Sequence, residues 1–243
     1  MKKKIRAKVA LAILLLILFA GLTVLVQRVD VQEYIPKEYL STGNAVSLEG
    51  GNPVIGFGNV NIAVHEKLGE NELCYKITKL IGYAAILTAP CFALLALSHM
   101  IRKGGFKGVD ADLWALLGHY VILAACYVAF EKFIVNYRPV LMEGVLEASY
   151  PSSHTMMTIA LLGAAVVQMK KRIRVKPLRV IVDLVLIAAM AAMAVGRLMS
   201  GVHWLTDVIA AVLLGLGLVT LYDAVFTQIR RAQKRKARRR HKK

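Results

Sequence analysis

The sequence predicts an all-α membrane protein: one domain over residues 1–243, built as a bundle of six transmembrane helices. Three observations predict this fold class. Of the 243 residues, 57% are hydrophobic. They lie in long blocks rather than in the short alternating runs of half-buried strands, and the blocks approach the ~20 residues that a helix needs to cross a bilayer. Lysine and arginine concentrate in alternate connections between the blocks, as in a chain that weaves across a membrane.

The predicted spans are residues 9–26, 80–97, 114–130, 155–169, 180–196 and 204–226. The first follows a basic stretch, as the core of a secretory signal would. Its apolar run of about 18 residues is longer than a usual signal core, and no small-residue cleavage site follows it. We therefore expect the first span to remain as a membrane anchor.

The connection at residues 28–76 is the one long predicted loop, with a centre rich in Gly, Asn and Pro at 50–58. Within it, Ile62, Val64, Leu68 and Leu73 alternate loosely with charged residues, which is compatible with a short helix at the membrane interface. The five-helix region then covers residues 80–226, and a basic tail covers residues 228–243.

The formal net charge of +17 would suggest a nucleic-acid binder in a soluble protein, but the positions of the charges argue otherwise. Of the 32 Lys and Arg residues, 24 lie before the first span, after the second, between the fourth and fifth, and after the sixth. These segments share one side of a six-helix weave, so the positive-inside rule places both termini in the cytoplasm. The basic tail is then expected to contact anionic lipid headgroups rather than nucleic acid.

Three short strings stand at the opposite ends of the predicted helices and are expected to meet at one extracytoplasmic surface. They are Arg138-Pro139, then Pro151-Ser152-Ser153-His154, then Arg197 followed by His203 and Asp207. The strings supply two guanidinium groups, two imidazoles and a carboxylate, a set suited to the transfer of a phosphoryl group.

His203 and Asp207 are four residues apart at the start of a helix, so their side chains share one face. A carboxylate there can accept the Nδ1 proton of the imidazole and leave Nε2 free to attack phosphorus. The alternative is a polar helix start at the membrane interface, since this spacing alone is common.

Ser152 and Ser153 open a predicted helix, whose unpaired backbone N–H groups and dipole attract a phosphate. His154 beside them could protonate a leaving oxygen and later activate water. Arg138 and Arg197 could each bind two phosphate oxygens. Taken singly, the serines are also compatible with a simple helix cap, and each arginine with an interfacial position.

Together the strings resemble the type 2 phosphatidic acid phosphatase (PAP2) family of membrane phosphatases, which shares a core with vanadium-dependent haloperoxidases. The family pattern is a lysine and Arg-Pro, then Pro-Ser-Gly-His, then Ser-Arg, five residues, His, three residues and Asp. The match runs from the third span to the sixth. It implies a six-helix bundle with a PAP2/haloperoxidase-like core and an external site that needs no metal and no other cofactor.

The resemblance also implies a role for each matching residue. His203 would carry a phosphohistidine intermediate, His154 would act as acid and base, and Asp207 would support His203. The residues expected to bind the phosphate are Arg138, Arg197, Ser152, Ser153 and Lys132.

The sequence departs from the family pattern at three positions. The family lysine precedes its arginine by seven residues, where this chain has Glu131, and Lys132 stands one residue late. On a helix, that shift turns a side chain by about 100°. Ser153 replaces the glycine of the second motif, and Gly196 replaces the serine before Arg197.

The predicted function is two-step hydrolysis of a lipid phosphate or diphosphate. An extracytoplasmic site on a compact single-domain chain favours undecaprenyl diphosphate as substrate, with phosphatidic acid and phosphatidylglycerol phosphate as alternatives. Two other classes stay open, a lipid transporter and an inactive lipid-binding scaffold. A transporter would place polar groups at the bilayer midplane, whereas here they gather at one end of the spans.

Overall fold

The computed structural model describes residues 2–36 and 53–240, in which seven α-helices dominate. The helices are α1 (Lys2–Val26), α2 (Gly58–Leu68), α3 (Glu72–Lys103), α4 (Ala111–Lys132), α5 (Ser153–Arg172), α6 (Lys176–Met199) and α7 (Leu205–Arg240). Two short strands, β1 (Gln32–Glu33) and β2 (Val54–Ile55), pair antiparallel with Gln32 opposite Ile55. The mostly helical membrane fold expected from the sequence is confirmed.

Five of the described helices are long and apolar enough to cross a membrane: α1, α3, α4, α6 and α7. Their outer faces expose large apolar side chains, such as Ile17 on α1, Leu94 on α3 and Leu184 on α6. A water-soluble protein rarely exposes apolar surface on this scale, whereas lipid tails contact it at no cost. The fourth predicted span, residues 155–169, corresponds to α5, which is less apolar, and the count of six spans stays a prediction.

The lower hydropathy of α5 follows from its position at the centre of the bundle. It packs against α3, α6 and α7, and most of its residues are buried. Small residues allow the close approach of α5 to α7. A Cβ added at Gly163 would lie 2.6 Å from Val219, and one at Gly215 would lie 2.9 Å from Ile159. A helix enclosed by other helices does not need the apolar surface that contact with lipid requires.

Ion pairs join neighbouring helices at the basic end of the bundle. The buried carboxylate of Asp112, at the start of α4, pairs with Lys171 and Arg172 at the end of α5. Lys8 of α1 lies 2.7 Å from Asp223 of α7. This end holds the start of α1 and the end of α7, in agreement with the predicted common side of the two termini.

The long connection contains more structure than the sequence indicated. The short helix predicted around Ile62 to Leu73 is present as α2, which starts earlier and ends earlier, at Gly58–Leu68. Helix α3 begins at Glu72, eight residues before the predicted span, because Asn71 caps it: Asn71 Oδ1 accepts a hydrogen bond of 2.9 Å from the Cys74 amide. The centre of the loop at 37–52 and the last three residues of the tail lie outside the described residues.

The folded part of this connection packs over the start of α7. Asn61 of α2 is buried and donates to Thr206 Oγ1 at 2.9 Å. The ring of Trp204 makes edge contacts with Tyr34 at 4.8 Å and His65 at 5.5 Å between centroids. The connection therefore covers the end of the bundle where the three sequence strings lie.

Candidate active site

The three strings meet at one end of the bundle, as predicted. The segment after α4 carries Arg138, the start of α5 carries His154, the end of α6 carries Arg197, and His203 directly precedes α7. Arg138, Arg197 and His203 are each at most 8% exposed. A group of charged and polar side chains is thus enclosed at the common end of four helices.

The segment between α4 and α5 folds back on itself and brings distant residues together. The Arg138 amide donates to the Glu147 carbonyl at 3.1 Å, and the Ser149 amide donates to the Asn136 carbonyl at 3.0 Å. This pairing places the side chains of Asn136, Arg138 and Ser149 beside the start of α7. Arg138 is also held by an ion pair of 3.2 Å between its Nε and Glu147.

Ser149 stands between His203 and Asp207. Its hydroxyl lies 3.2 Å from His203 Nδ1 and donates a short hydrogen bond to Asp207 Oδ2. The direct distance from Nδ1 to Asp207 Oδ2 is 3.7 Å, too long for a hydrogen bond. The predicted pairing of His203 with Asp207 therefore runs through a serine.

This arrangement fixes which nitrogen of His203 carries the proton. An ionised carboxylate only accepts, so Ser149 donates to Asp207 and its oxygen accepts from Nδ1–H. A guanidinium only donates, so Nε2 accepts from Arg138 Nη1, which lies 3.4 Å away. The lone pair of Nε2 consequently faces the arginine side, where a bound phosphate would lie.

The Asp207 carboxylate is buried and held by two further donors. The Asn136 amide group donates to Oδ1 at 3.0 Å, and the Trp204 backbone amide donates to Oδ2 at 2.9 Å. The second bond is the reciprocal contact of a capping box, because Trp204 is the residue before α7. A carboxylate with three donors keeps one orientation and in turn orients Ser149.

The environment of His203 keeps its imidazole neutral. Burial holds the pKa of His203 well below 6.5, and the charges of Arg138 and Arg197 lower this pKa further. A neutral imidazole with an unprotonated Nε2 is the form that attacks phosphorus.

Arg197 presents donors that the protein does not use. Its Nε and Nη2 atoms are buried and have no hydrogen-bond partner among the described residues. Its guanidinium lies over the ring of Tyr75, with Cζ at 5.2 Å from the centroid. Buried donors are nearly always paired in folded proteins, and two guanidinium donors match two phosphate oxygens.

His154 lies at the start of α5 and faces α3. A Cβ added at Gly82 of α3 would lie 3.2 Å from His154 Cδ2, so the backbone of α3 packs on the imidazole. His154 Nδ1 is buried without a hydrogen-bond partner in the described part of the chain. The cations whose charges act on this ring are Arg197, Arg138 and Lys79.

The other predicted phosphate-binding residues occupy different places. Ser152 is the N-cap residue of α5, but its hydroxyl pairs with Thr155 Oγ1 at 3.0 Å rather than with a backbone amide. Ser153 lines a small cavity that Glu131 also lines. Lys132 is exposed in the last turn of α4, and no described hydrogen bond or ion pair joins it to the cluster. The structure thus brings the histidines, the arginines and Asp207 together, without Lys132.

The replacement of the family serine by Gly196 has a steric reason. A Cβ at Gly196 would lie 2.5 Å from Thr78 Cγ2, and Thr78 is buried on α3. Glycine therefore permits α3 to approach α6 beside Arg197. Tyr75 and Lys79 lie on the same face of α3 as Thr78 and reach the site by this approach.

The sequence strings did not reveal four of the residues at the site: Asn136, Ser149, Tyr75 and Lys79. Asn136 lies two residues before Arg138, and Ser149 lies two residues before Pro151. Their closeness to these motifs was the sequence signal that could have indicated them. Tyr75 fell inside the predicted loop at 28–76, and Lys79 fell between that loop and the predicted second span. The capping residue Asn71 could have indicated that α3 starts early enough to include them.

Comparison with known proteins agrees with this geometry. The family model of the PAP2 superfamily matches residues 113–231. The chain is therefore similar to the PAP2 superfamily over about half of its length. The matched residues include both histidines, both arginines and the aspartate of the cluster, so the PAP2 match covers the site as well as the helices around it.

The fold of the chain also resembles a solved structure, described as the first transmembrane PAP2 type phosphatidylglycerolphosphate phosphatase from Bacillus subtilis. The TM-score is 0.56, the match covers 92% of this chain and 96% of that chain, and 14% of the residues are identical. No curated protein matches the sequence significantly. The expected PAP2-type membrane lipid phosphatase is supported, and its substrate is not distinguished.

Proposed function

We propose that this protein hydrolyses a lipid phosphate or diphosphate at the extracytoplasmic face of the cell membrane, through a phosphohistidine on His203. Undecaprenyl diphosphate is the first candidate substrate. The observation that carries the proposal is the arrangement around His203: Nδ1 is hydrogen-bonded through Ser149 to Asp207, and Nε2 faces Arg138. A histidine held in this way is prepared for attack at phosphorus.

In the first step, Nε2 of His203 attacks the phosphorus atom and a P–N bond forms. The bond from phosphorus to the lipid oxygen breaks, and His154 donates a proton to that oxygen. Arg138 and Arg197 stabilise the charge on the transferred phosphoryl group, because guanidinium groups in a buried site are oriented before the reaction begins.

In the second step, water attacks the phosphohistidine and the P–N bond breaks. His154, now neutral, accepts a proton from the water. Inorganic phosphate leaves, and His203 returns to the neutral form. The free lipid product stays in the membrane, next to the helices whose apolar faces contact lipid.

The side of the membrane follows from the charge distribution. The basic end of the bundle carries the start of α1 and the basic extension of α7, so both termini belong in the cytoplasm. The site lies at the other end of the helices. The basic helical extension of α7 would then contact anionic headgroups at the cytoplasmic surface.

The test is phosphate release by the detergent-purified protein in EDTA. Undecaprenyl diphosphate, phosphatidic acid and phosphatidylglycerol phosphate are assayed side by side, the last because of the fold that this chain shares with a phosphatase of that specificity. We expect release from at least one of them and the highest kcat/KM for undecaprenyl diphosphate. Release from none would favour a lipid-binding scaffold or a transporter and would overturn the proposal.

We also expect His203 to titrate below pH 6.5 in the free protein. Burial, Arg138 and Arg197 all disfavour the protonated imidazole. A lowered pKa means that the ring stays neutral at pH 6.5 and becomes protonated only as the pH falls further. Nitrogen-15 NMR of histidine-labelled protein measures this titration, and the His203→Ala variant identifies the signal. A pKa at or above 6.5 would contradict the proposed neutral nucleophile.

A further inference from the structure

Lys79 is a half-buried cation beside the catalytic cluster that no motif includes. It lies on α3, on the face that carries Tyr75, Thr78 and Gly82. Each of these neighbours contacts the site region. The Arg197 guanidinium lies over the Tyr75 ring, Thr78 packs at Gly196, and Gly82 packs on His154.

The Tyr75 ring links the two cations. Lys79 Nζ lies 5.9 Å from the centre of this ring, and Arg197 Cζ lies 5.2 Å from it. An ammonium and a guanidinium that contact the same aromatic ring lie on either side of it or beside each other, here no more than about 11 Å apart. A phosphate group between or beside them would offset the repulsion between their like charges.

Lys79 belongs to the side of the cluster that holds His154. Gly82, which lies one turn from Lys79 on the same face of α3, packs on the His154 ring. His203 is the attacking group and His154 protonates the leaving oxygen. Lys79 therefore lies on the side from which the leaving group departs.

Lys79 also differs from the two arginines in exposure. Arg138 and Arg197 are buried, as required for groups that surround the transferred phosphoryl group. Lys79 is only partly buried and stands at the edge of the cluster. A partly exposed cation beside the buried arginines can contact a group that is attached to the transferred phosphoryl.

We propose that Lys79 binds the second phosphate of a lipid diphosphate, the phosphate that leaves with the lipid. This inference rests on the proposed function and specifies its substrate class. Attack by His203 on the terminal phosphorus breaks the bond to the bridging oxygen, and the leaving group is a lipid monophosphate. That group keeps its negative charge, so a cation on its side stabilises it. A simple phosphomonoester leaves as a neutral alcohol and gains little from Lys79.

The exposed Lys132 cannot provide this contact from its position in the structure. It lies in the last turn of α4, and the residue before it, Glu131, lines the cavity beside Ser153. Lys79 reaches the cluster from a different helix. The approach of α3 at Gly196 is what brings it there.

The experiment compares farnesyl diphosphate with farnesyl monophosphate, two probes that share one lipid chain and differ in the second phosphate. The variant is Lys79→Met. We expect kcat/KM for the diphosphate to fall roughly tenfold or more, the effect of losing one charge-assisted contact, and kcat/KM for the monophosphate to change by less than about threefold. Lys79→Arg should restore most of the activity on the diphosphate.

Lys76→Met is the matched control. Lys76 lies on the same helix, is exposed, and pairs with Glu72 at 2.7 Å, away from the cluster. It should leave both activities unchanged. Equal losses on both probes in Lys79→Met, or no loss on either, would overturn the inference while the proposed phosphatase stands. Wild-type protein that hydrolyses the monophosphate but not the diphosphate would also overturn it. If the wild type releases phosphate from no lipid, the proposed function fails and the inference fails with it.

Discussion

A His203→Ala variant is expected to fold like the wild type and to lose phosphate release by a factor on the order of 10⁴ or more. Alanine removes Nε2, the atom that is proposed to attack phosphorus. Without a covalent intermediate, hydrolysis would need direct attack by water in a site arranged around an imidazole. The arginines would still bind the substrate, so we expect KM to change much less than kcat.

Two measurements make this prediction specific. Substrate labelled with phosphorus-32 in the terminal phosphate should label the wild-type protein after a rapid alkaline quench, and it should not label His203→Ala. The variant should lose about 1–3 kcal/mol of stability, because His203 is buried and hydrogen-bonded to Ser149, and its melting curve in detergent should still show a cooperative transition. Substantial turnover in a folded His203→Ala protein would show that another residue is the nucleophile.

Most of the fold could be predicted from the sequence because hydropathy and charge report directly on the membrane. The long apolar blocks predicted most of the apolar helices. The basic connections predicted that the two termini lie at the same end of the bundle. The start of α3 was not predicted, since Tyr75 to Lys79 are too polar for a hydropathy window and the helix there depends on the Asn71 cap. The contact of α2 with Trp204 is a tertiary feature that no local pattern encodes.

The part of the site that could be predicted is the pair His203 and Asp207, because both residues belong to the same sequence motif. His203 and Asp207 are four residues apart, and the helix that begins between them keeps them on one side. Ser149 was missed because it lies 54 positions from His203 and 58 from Asp207, and it reaches them only through the fold-back of the segment before α5. A sequence motif shows only the spacing of residues along the chain. The hydrogen-bond relay from His203 through Ser149 to Asp207 depends on tertiary packing, so no motif could show it.

Lys132 shows the limit of transferring a motif by position. The family pattern requires a lysine seven residues before Arg138, and the nearest lysine in this chain lies on a different face of α4 and is exposed. The replacement at Gly196 has a clearer consequence, since it allows α3 to approach and bring another lysine to the cluster.

A Ser149→Ala variant is expected to lower kcat by about 100-fold or more while the protein still folds. Alanine removes the hydroxyl that accepts from His203 Nδ1 and donates to Asp207. The remaining distance of 3.7 Å is too long for a direct hydrogen bond. The imidazole can then rotate or move its proton to Nε2, and in that tautomer the attacking lone pair is lost. Loss of a buried hydrogen bond should also cost about 1–3 kcal/mol of stability.

Ser200→Ala is the matched control, because it makes the same change at another buried serine near the site. Ser200 donates to the Arg197 carbonyl at 2.9 Å and contacts neither histidine in the described hydrogen bonds. We expect it to lose comparable stability and to keep most of its kcat. If Ser149→Ala and Ser200→Ala lost stability and activity to the same extent, Ser149 would be a structural residue only.

Nitrogen-15 chemical shifts of His203 distinguish a positioning role of Ser149 from a purely structural one. In the wild type, Nδ1 should give the signal of a protonated nitrogen and Nε2 that of an unprotonated one. In Ser149→Ala, both signals should move toward the average of the two tautomers, because nothing then favours a proton on Nδ1. An unchanged tautomer with a full kcat would mean that Asp207 reaches Nδ1 without the serine. A mixed tautomer with a reduced kcat would establish Ser149 as the residue that positions the nucleophile.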